Sequence, residues 1–84
     1  MPPEAAPRIT LVTRPGCHLC VTARETVAVV ARDCGVEWVE VSVDEDPALM
    51  EAYAELIPVT LVDGRRHDYW RVDATRLRAA LGAH

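Results

Sequence analysis

The spacing of apolar residues changes twice in the first half of the chain. Residues 8–13 are short, β-branched and apolar and are followed by Pro15-Gly16, which predicts a buried strand and then a turn. From residue 17 to about residue 34, apolar residues recur at spacings of three and four, and Gly35 provides a helix stop. Residues 36–43 predict a second strand. Strand, helix and strand in this order form a right-handed parallel βαβ unit.

The second half of the chain predicts a short helix and a β-hairpin. Asp46 is the expected N-cap of a helix that covers residues 47–56 and has proline at its first position. Residues 59–62 and 65–71 predict two antiparallel strands. The two residues between them, Asp63-Gly64, are typical of a hairpin turn that needs positive φ.

A last helix and the domain organisation complete the predicted architecture. Asp73 is the expected N-cap of a helix over residues 74–81. The element order is therefore β-α-β-α-β-β-α. Residues 1–7 contain three prolines and are expected to form a flexible leader, and residues 8–84 are expected to form a single domain.

Composition and charge narrow the classes of function. Half of the 84 residues are apolar, which is enough for one modest core. The longest apolar stretch, residues 27–31, is far shorter than the ~20 residues of a membrane span. Nine arginines are scattered among thirteen acids, so we expect no nucleic-acid binding. Residues 1–4 lack the basic flank and apolar segment of a secretory signal, which favours a cytoplasmic location.

The candidate chemistry lies in Cys17-His18-Leu19-Cys20, where the first strand meets the first helix. Cysteines three residues apart in a helical turn have Cα atoms about 5 to 5.5 Å apart, which a disulfide tolerates. The free N–H groups of the helix start favour the thiolate of Cys17, the predicted nucleophile. Cys20 lies on the apolar face and would resolve a mixed disulfide. A protonated His18 would stabilise that thiolate further, or it is an exposed histidine without effect.

Other interpretations of the cysteines stay open. Cys17 and Cys20 could be small buried residues, or they could bind metal together with His18 or His67. A structural zinc site needs four ligands and the chain has no second C-x-x-C, so we expect no metal. Cys34 lies about 21 Å from Cys20 along the same helix and cannot pair with it. We expect a core or helix-end role for Cys34, with regulatory oxidation or intermolecular pairing as alternatives.

Several motifs occur together in one order along the chain. They are Thr-Arg-Pro-Gly-Cys-His-Leu-Cys at residues 13–20, Ile57-Pro58-Val59 about forty residues later, Asp63-Gly64, and the capped last helix. In this combination the chain resembles the glutaredoxin-like family of the thioredoxin superfamily over residues 8–81. The resemblance implies an α/β, thioredoxin/glutaredoxin-like fold, with a four-stranded mixed sheet in the order 2-1-3-4 and helices on both faces.

The resemblance also implies roles for individual residues. Pro58 is expected to be cis and to lie against the cysteine pair, which leaves the backbone of Ile57 free to pair with an extended substrate. Arg14 matches the basic residue that the family places three positions before the first cysteine, where it could pair with a glutathione carboxylate and bias Cys17 toward thiolate. Asp73 matches the acidic residue that the family places at the start of the last helix. There it could bind the amine of the glutamyl residue of glutathione, or it could only cap the helix.

The chain departs from the family pattern at three places. Leu56 and Ile57 precede Pro58 where glutaredoxins usually have Thr-Val, and Trp70-Arg71 stands where they have a Gly-Gly pair. His18-Leu19 also differs from the common residue pairs between the cysteines, which leaves the redox direction open. Tyr69 and Trp70 would form an aromatic rim near the site or cover the core and edge strand.

The predicted function is that of a small cytoplasmic thiol-disulfide oxidoreductase in cell redox homeostasis. It would act on disulfide-containing proteins or thiol adducts, as a monomer and without membrane or nucleic-acid partners. No bound cofactor is expected. A low-molecular-weight thiol, glutathione or an equivalent, would serve as co-substrate, or a reductase would recycle the dithiol. The alternatives are a redox-inactive thioredoxin-fold binding module and a Cys/His metal-binding protein.

Overall fold

A four-stranded mixed sheet forms the centre of the computed structural model, which describes residues 7–82. In chain order its strands are β1 (Ile9–Thr13), β2 (Trp38–Ser42), β3 (Val59–Val62) and β4 (Arg65–Tyr69). Their spatial order is β2-β1-β3-β4, with β1 parallel to β2 and both other pairs antiparallel. The predicted sheet order is confirmed. Of the expected leader, residues 1–6 lie outside the described residues.

Three helices connect the strands. They are α1 (His18–Cys34), α2 (Pro47–Tyr53) and α3 (Ala74–Ala80). The predicted element order is confirmed, with one addition, a 3₁₀ turn over Val43–Glu45. Ser42 starts this turn through a capping box, in which its side chain accepts from the Asp44 amide and its own amide donates to the Glu45 carboxylate.

Three predicted boundaries are wrong by two residues or more, and the local structure gives the reason for two of them. The second strand begins at Trp38 rather than at Val36. The second helix ends at Tyr53 rather than at Leu56, because the chain tightens into turns in which the Leu56 amide donates to the Tyr53 carbonyl at 2.8 Å. The fourth strand ends at Tyr69 rather than at Arg71. Trp70 has a φ of 67°, a left-handed conformation that cannot continue a strand.

The core is divided between the two faces of the sheet. On one face, Ile9 and Leu11 of β1 pack with α1 and α3, and Leu77 of α3 is fully buried there. Val12 points to the other face, because side chains alternate along a strand, and it joins a second cluster with Cys20 and Ile57. The end of α1 that carries Cys20 and the chain before β3 therefore share one apolar cluster.

Candidate functional site

Gly16 and Cys17 turn the chain from β1 into α1. Gly16 has a φ of 74°, which only glycine adopts without a steric penalty. Cys17 is extended and is the N-cap of α1. Its sulfur is bonded to that of Cys20, and the Cα atoms are 5.3 Å apart, within the predicted range. Cys20 is 1% exposed and Cys17 is partly exposed, so the two cysteines differ in accessibility as predicted.

The sulfur of Cys17 takes the place of the usual capping oxygen of α1. The backbone N–H of Cys20 donates to Cys17 Sγ at 3.2 Å. Helix N-terminal amides and the helix dipole favour a negative charge at this position. The site therefore supplies a reduced Cys17 with a donor that stabilises its thiolate.

A cis proline loop lies beside the cysteine pair. The Ile57–Pro58 peptide bond is cis, as the resemblance implies, and Pro58 is fully buried. Ile57 packs in the same apolar cluster as Cys20, and Cys17 packs against that cluster. Within residues 7–82, neither the amide nor the carbonyl of Ile57 forms a backbone hydrogen bond. Ile57 therefore offers a free donor and a free acceptor close to the cysteines.

Trp70 holds the loop before and after Ile57. Its amide donates to the carbonyls of Pro58 at 2.7 Å and Leu56 at 3.3 Å, and its indole Nε1 donates to the carbonyl of Glu55 at 3.2 Å. The sequence interpretation, which weighed core packing against an aromatic rim, missed this role. No sequence signal predicts it, because aromatic residues rarely adopt a positive φ.

An open cleft of about 530 Å³ lies beside Cys17. Arg14 and His18 line it and are exposed, so the structure brings both predicted activating residues to the same cleft as Cys17. Neither side chain donates to the Cys17 sulfur within the described residues. Their activating role remains a prediction that rests on positive charge near the sulfur.

Glu40 forms the floor of this cleft and accepts three side-chain hydrogen bonds. Arg24 of α1 donates two of them at 2.7 Å each, and Thr13 of β1 donates the third at 2.8 Å. The bonds from Arg24 lower the pKa of Glu40 below its ordinary value, and the bond from Thr13 acts in the same direction, while partial burial opposes both. This group links the second turn of α1 to the end of β1 and the middle of β2, and the sequence interpretation missed it.

Asp73 lies in a different part of the site. Its carboxylate accepts from the Arg76 amide at 3.0 Å, which confirms the predicted cap of α3. It lines a shallow cleft of about 310 Å³ with Trp70 and Arg71, whereas Cys17 does not line that cleft. The proposed contact of Asp73 with a glutamyl amine remains a prediction.

Outside the cysteine pair, residues 7–82 contain one further cysteine and no candidate metal centre. No group of three or more His, Cys, Asp or Glu side chains is arranged to hold a metal ion in this part of the chain. Cys34 is a half-buried free thiol at the end of α1 and packs against the core, in agreement with the expected helix-end role. Of the described helices, none has the length and apolar character needed to cross a membrane.

The sheet order, the cysteine pair at the start of α1 and the cis proline before β3 define a thioredoxin-fold protein with a dithiol site. Residues 8–82 match the family model described as Glutaredoxin-like domain (DUF836), and the chain belongs to this family. An uncharacterized protein of Mycobacterium tuberculosis is 38% identical over 80 residues, which cover 89% of this chain and 82% of the relative.

Solved structures agree with this assignment. A structural genomics target protein from X. campestris is 41% identical, with a TM-score of 0.70 over 90% of this chain and 97% of that chain. A protein from Nitrosomonas europaea has a TM-score of 0.73 at 22% identity and covers 94% of this chain and 96% of its own. Fasciola hepatica thioredoxin has a TM-score of 0.60 at 23% identity, over 88% of this chain and 76% of that chain. The last two similarities show the fold alone.

Proposed function

We propose that this protein is a thiol-disulfide oxidoreductase that uses the Cys17 and Cys20 dithiol. The observation that carries the proposal is the asymmetry of the pair. The accessible Cys17 sulfur accepts a hydrogen bond from the Cys20 amide, while the Cys20 side chain is buried behind it. An exposed, stabilised thiolate attacks substrate, and a protected neighbour completes the exchange.

The exchange takes two steps. The thiolate of Cys17 attacks one sulfur of a substrate disulfide, and the other substrate sulfur leaves as a thiolate and takes up a proton. Cys20 then loses its proton and attacks Cys17 Sγ, which releases the second substrate sulfur as a thiol. The substrate has gained two electrons, and the protein has become an internal disulfide. Two equivalents of a low-molecular-weight thiol such as glutathione, or a reductase, return those electrons.

The surroundings of Cys17 support parts of this proposal. Arg14 places positive charge in its cleft, and a protonated His18 would add to it, which would favour the thiolate. The free backbone groups of Ile57 would pair with an extended substrate, next to the buried Pro58. Asp73 would contact the amine of a glutathione-type substrate. The chemistry needs no bound cofactor. A cysteine pair that must return to the reduced form fits a cytoplasmic location, because thiol systems keep cysteines reduced there.

Thiol trapping with mass readout across a series of glutathione redox buffers tests the proposal. The wild type should interconvert between two free thiols and an internal disulfide, with a midpoint in the range of roughly −120 to −270 mV. Cys17→Ser should lose all exchange activity, and Cys20→Ser should accumulate a mixed disulfide on Cys17. Cys34→Ser serves as the matched control and should behave as wild type.

Two results would reject the proposal. If the cysteines never form the internal disulfide in that range, the protein is not an oxidoreductase of this kind. If Cys17→Ser retained full function in cells, the site would act as a redox-inactive binding module.

A further inference from the structure

Within residues 7–82, the hydrogen bonds to the carbonyls of Glu55, Leu56 and Pro58 all come from Trp70. Its amide and indole N–H groups engage the carbonyls of Glu55, Leu56 and Pro58, and the carbonyl of Ile57, in the middle of this segment, is left without a backbone partner in residues 7–82. The loop is thus held on both sides of Ile57, whose own amide and carbonyl stay free. Trp70 therefore fixes the position of the backbone groups that could pair with another chain.

The backbone conformation of Trp70 depends on its hydrogen bonds to this loop. A tryptophan with a φ of 67° is strained, and strained residues persist only where the surrounding structure holds them. The three hydrogen bonds to the loop supply that hold. The bond from the Trp70 amide to the Pro58 carbonyl also extends the β3–β4 pairing by one residue beyond Val59 and Tyr69.

The indole also presents an open apolar surface. Trp70 is 51% exposed and Tyr69 is 43% exposed, with ring centroids 5.0 Å apart in an edge-to-face arrangement. The guanidinium of Arg66 lies over the Tyr69 ring, 5.8 Å from its centroid. We call Tyr69 and Trp70 the aromatic pair. It is a preformed surface next to the free edge of Ile57.

The charged residues near the aromatic pair affect which substrate side chains this surface can accept. In the adjoining shallow cleft, Asp68 forms an ion pair with the Arg76 guanidinium at 3.4 Å, and Asp73 accepts the backbone amide of Arg76 as the cap of α3. The guanidinium groups of Arg66, Arg71 and Arg76 outnumber these two carboxylates around the aromatic pair. The Arg71 side chain in the same cleft forms no ion pair within the described part of the chain. This surface therefore suits apolar or acidic side chains and disfavours basic ones.

We propose that Trp70 is a positioning and specificity residue that directs the dithiol toward cystine within an extended polypeptide whose flanking residues are apolar. The inference rests on the proposed function. Trp70 holds the Ile57 amide and carbonyl ready for the substrate backbone, and its indole face receives a side chain next to the substrate cysteine. A small disulfide that lacks a flanking side chain gains nothing from the indole.

Steady-state kinetics on three disulfides would test this role. They are a cystine peptide with leucine beside each half-cystine, the same peptide with arginine at those positions, and the small compound hydroxyethyl disulfide. Trp70→Asn removes the indole but keeps a residue that tolerates a left-handed backbone. Trp70→Phe keeps an aromatic face without the N–H donor. Trp38→Phe, on the opposite edge of the sheet, is the matched control.

We expect Trp70→Asn to raise KM for the leucine peptide about tenfold with kcat changed less than about twofold. Its loss on the small disulfide should be smaller, and Trp70→Phe should give values between those of the wild type and Trp70→Asn. Trp38→Phe should keep wild-type kinetics on all three disulfides. The wild type should prefer the leucine peptide to the arginine peptide. Equal losses on all three disulfides, or no loss on the leucine peptide, would overturn the proposal.

A binding measurement separates this proposal from the proposed activity. The leucine peptide with serine in place of each cysteine cannot react, and its effect on the Ile57 amide resonance can be followed by NMR. We expect it to shift that resonance in the wild type but not in Trp70→Asn, even if thiol trapping were to show no redox cycling. An unperturbed Ile57 amide in the wild type would refute the docking role of Trp70 whatever the activity.

Discussion

Replacing Glu40 with glutamine tests the group that links α1 to the end of β1 and the middle of β2. The amide keeps the size of the side chain but removes the charge that Arg24 and Thr13 contact at 2.7 to 2.8 Å. Hydrogen bonds to a charged group contribute about 1.5 to 3 kcal/mol, and exposed ion pairs about 0.2 to 1 kcal/mol. Since the side chains of Glu40 and Arg24 are 30% and 43% exposed, screening keeps the expected loss near the lower range. We expect Glu40→Gln to lower the free energy of unfolding by about 1 kcal/mol near neutral pH.

The pH dependence of this loss has a definite sign. Arg24 lowers the pKa of Glu40 in the folded protein below its ordinary value of 4.5. A carboxyl whose pKa is lower in the folded state stabilises the protein above its unfolded pKa, and this stabilisation disappears as the pH falls through the folded pKa. The difference between wild type and Glu40→Gln should therefore be complete near neutral pH and should shrink as the solution is acidified below about 4.5.

Urea unfolding of both proteins across an acidic pH series measures this difference. Asp33 and Asp63 also have lowered pKa values because of their arginine partners, so both proteins lose stability in acid, and the comparison isolates Glu40. Glu25→Gln, on an exposed position of α1, is the matched control and should change the free energy of unfolding near neutral pH by less than about 0.5 kcal/mol. A Glu40→Gln difference that persists unchanged in strong acid, or that is absent near neutral pH, would refute the electrostatic explanation.

Three further results are expected. Leu77→Ala should lower the free energy of unfolding by about 2 to 5 kcal/mol in chemical denaturation, because the Leu77 side chain is fully buried in the core. Leu19 is exposed, so an equally large loss in Leu19→Ala would contradict this burial argument. Asp73→Ala should lower the free energy of unfolding by about 1 kcal/mol in the same assay, because α3 loses its N-cap. If Asp73→Asn slowed the reduction of a glutathione adduct more than tenfold, Asp73 would have more than a structural role. Cys34→Ser should leave the redox midpoint unchanged, since Cys34 lies at the far end of α1, and a shifted midpoint would reveal exchange with the active pair.

The parts of this fold that could be predicted from the sequence depend on local signals. The Asp63-Gly64 turn is an example, because both residues tolerate the positive φ that they have in the structure. The cysteine pair was placed correctly because the end of a strand and the start of a helix adjoin in the sequence. The cis bond before Pro58 could be expected only from the family resemblance, since an X-Pro bond on its own favours trans.

The missed features depend on residues that are distant in sequence. Thr13, Arg24 and Glu40 belong to three different elements, and no periodicity indicates that they meet. Strands of a βαβ unit are mostly apolar, so Glu40, an acid between two valines in the second predicted strand, was a weak signal that its carboxylate has a partner in the fold. The conformation of Trp70 gave no signal, since the contacts that hold it come from the loop before β3.

The capping of α1 by Cys17 has a consequence for how the redox state can be observed. The acceptor of one of the free amides in the first turn of the helix is the sulfur atom that would exchange electrons in the proposed activity. A thiolate accepts a hydrogen bond strongly, whereas a neutral sulfur in a disulfide accepts it weakly. The Cys20 amide proton is therefore a built-in reporter whose chemical shift and exchange rate follow the charge on Cys17. A mixed disulfide with substrate would weaken the same bond and loosen the first turn of the helix, where Cys20 must move to release the product.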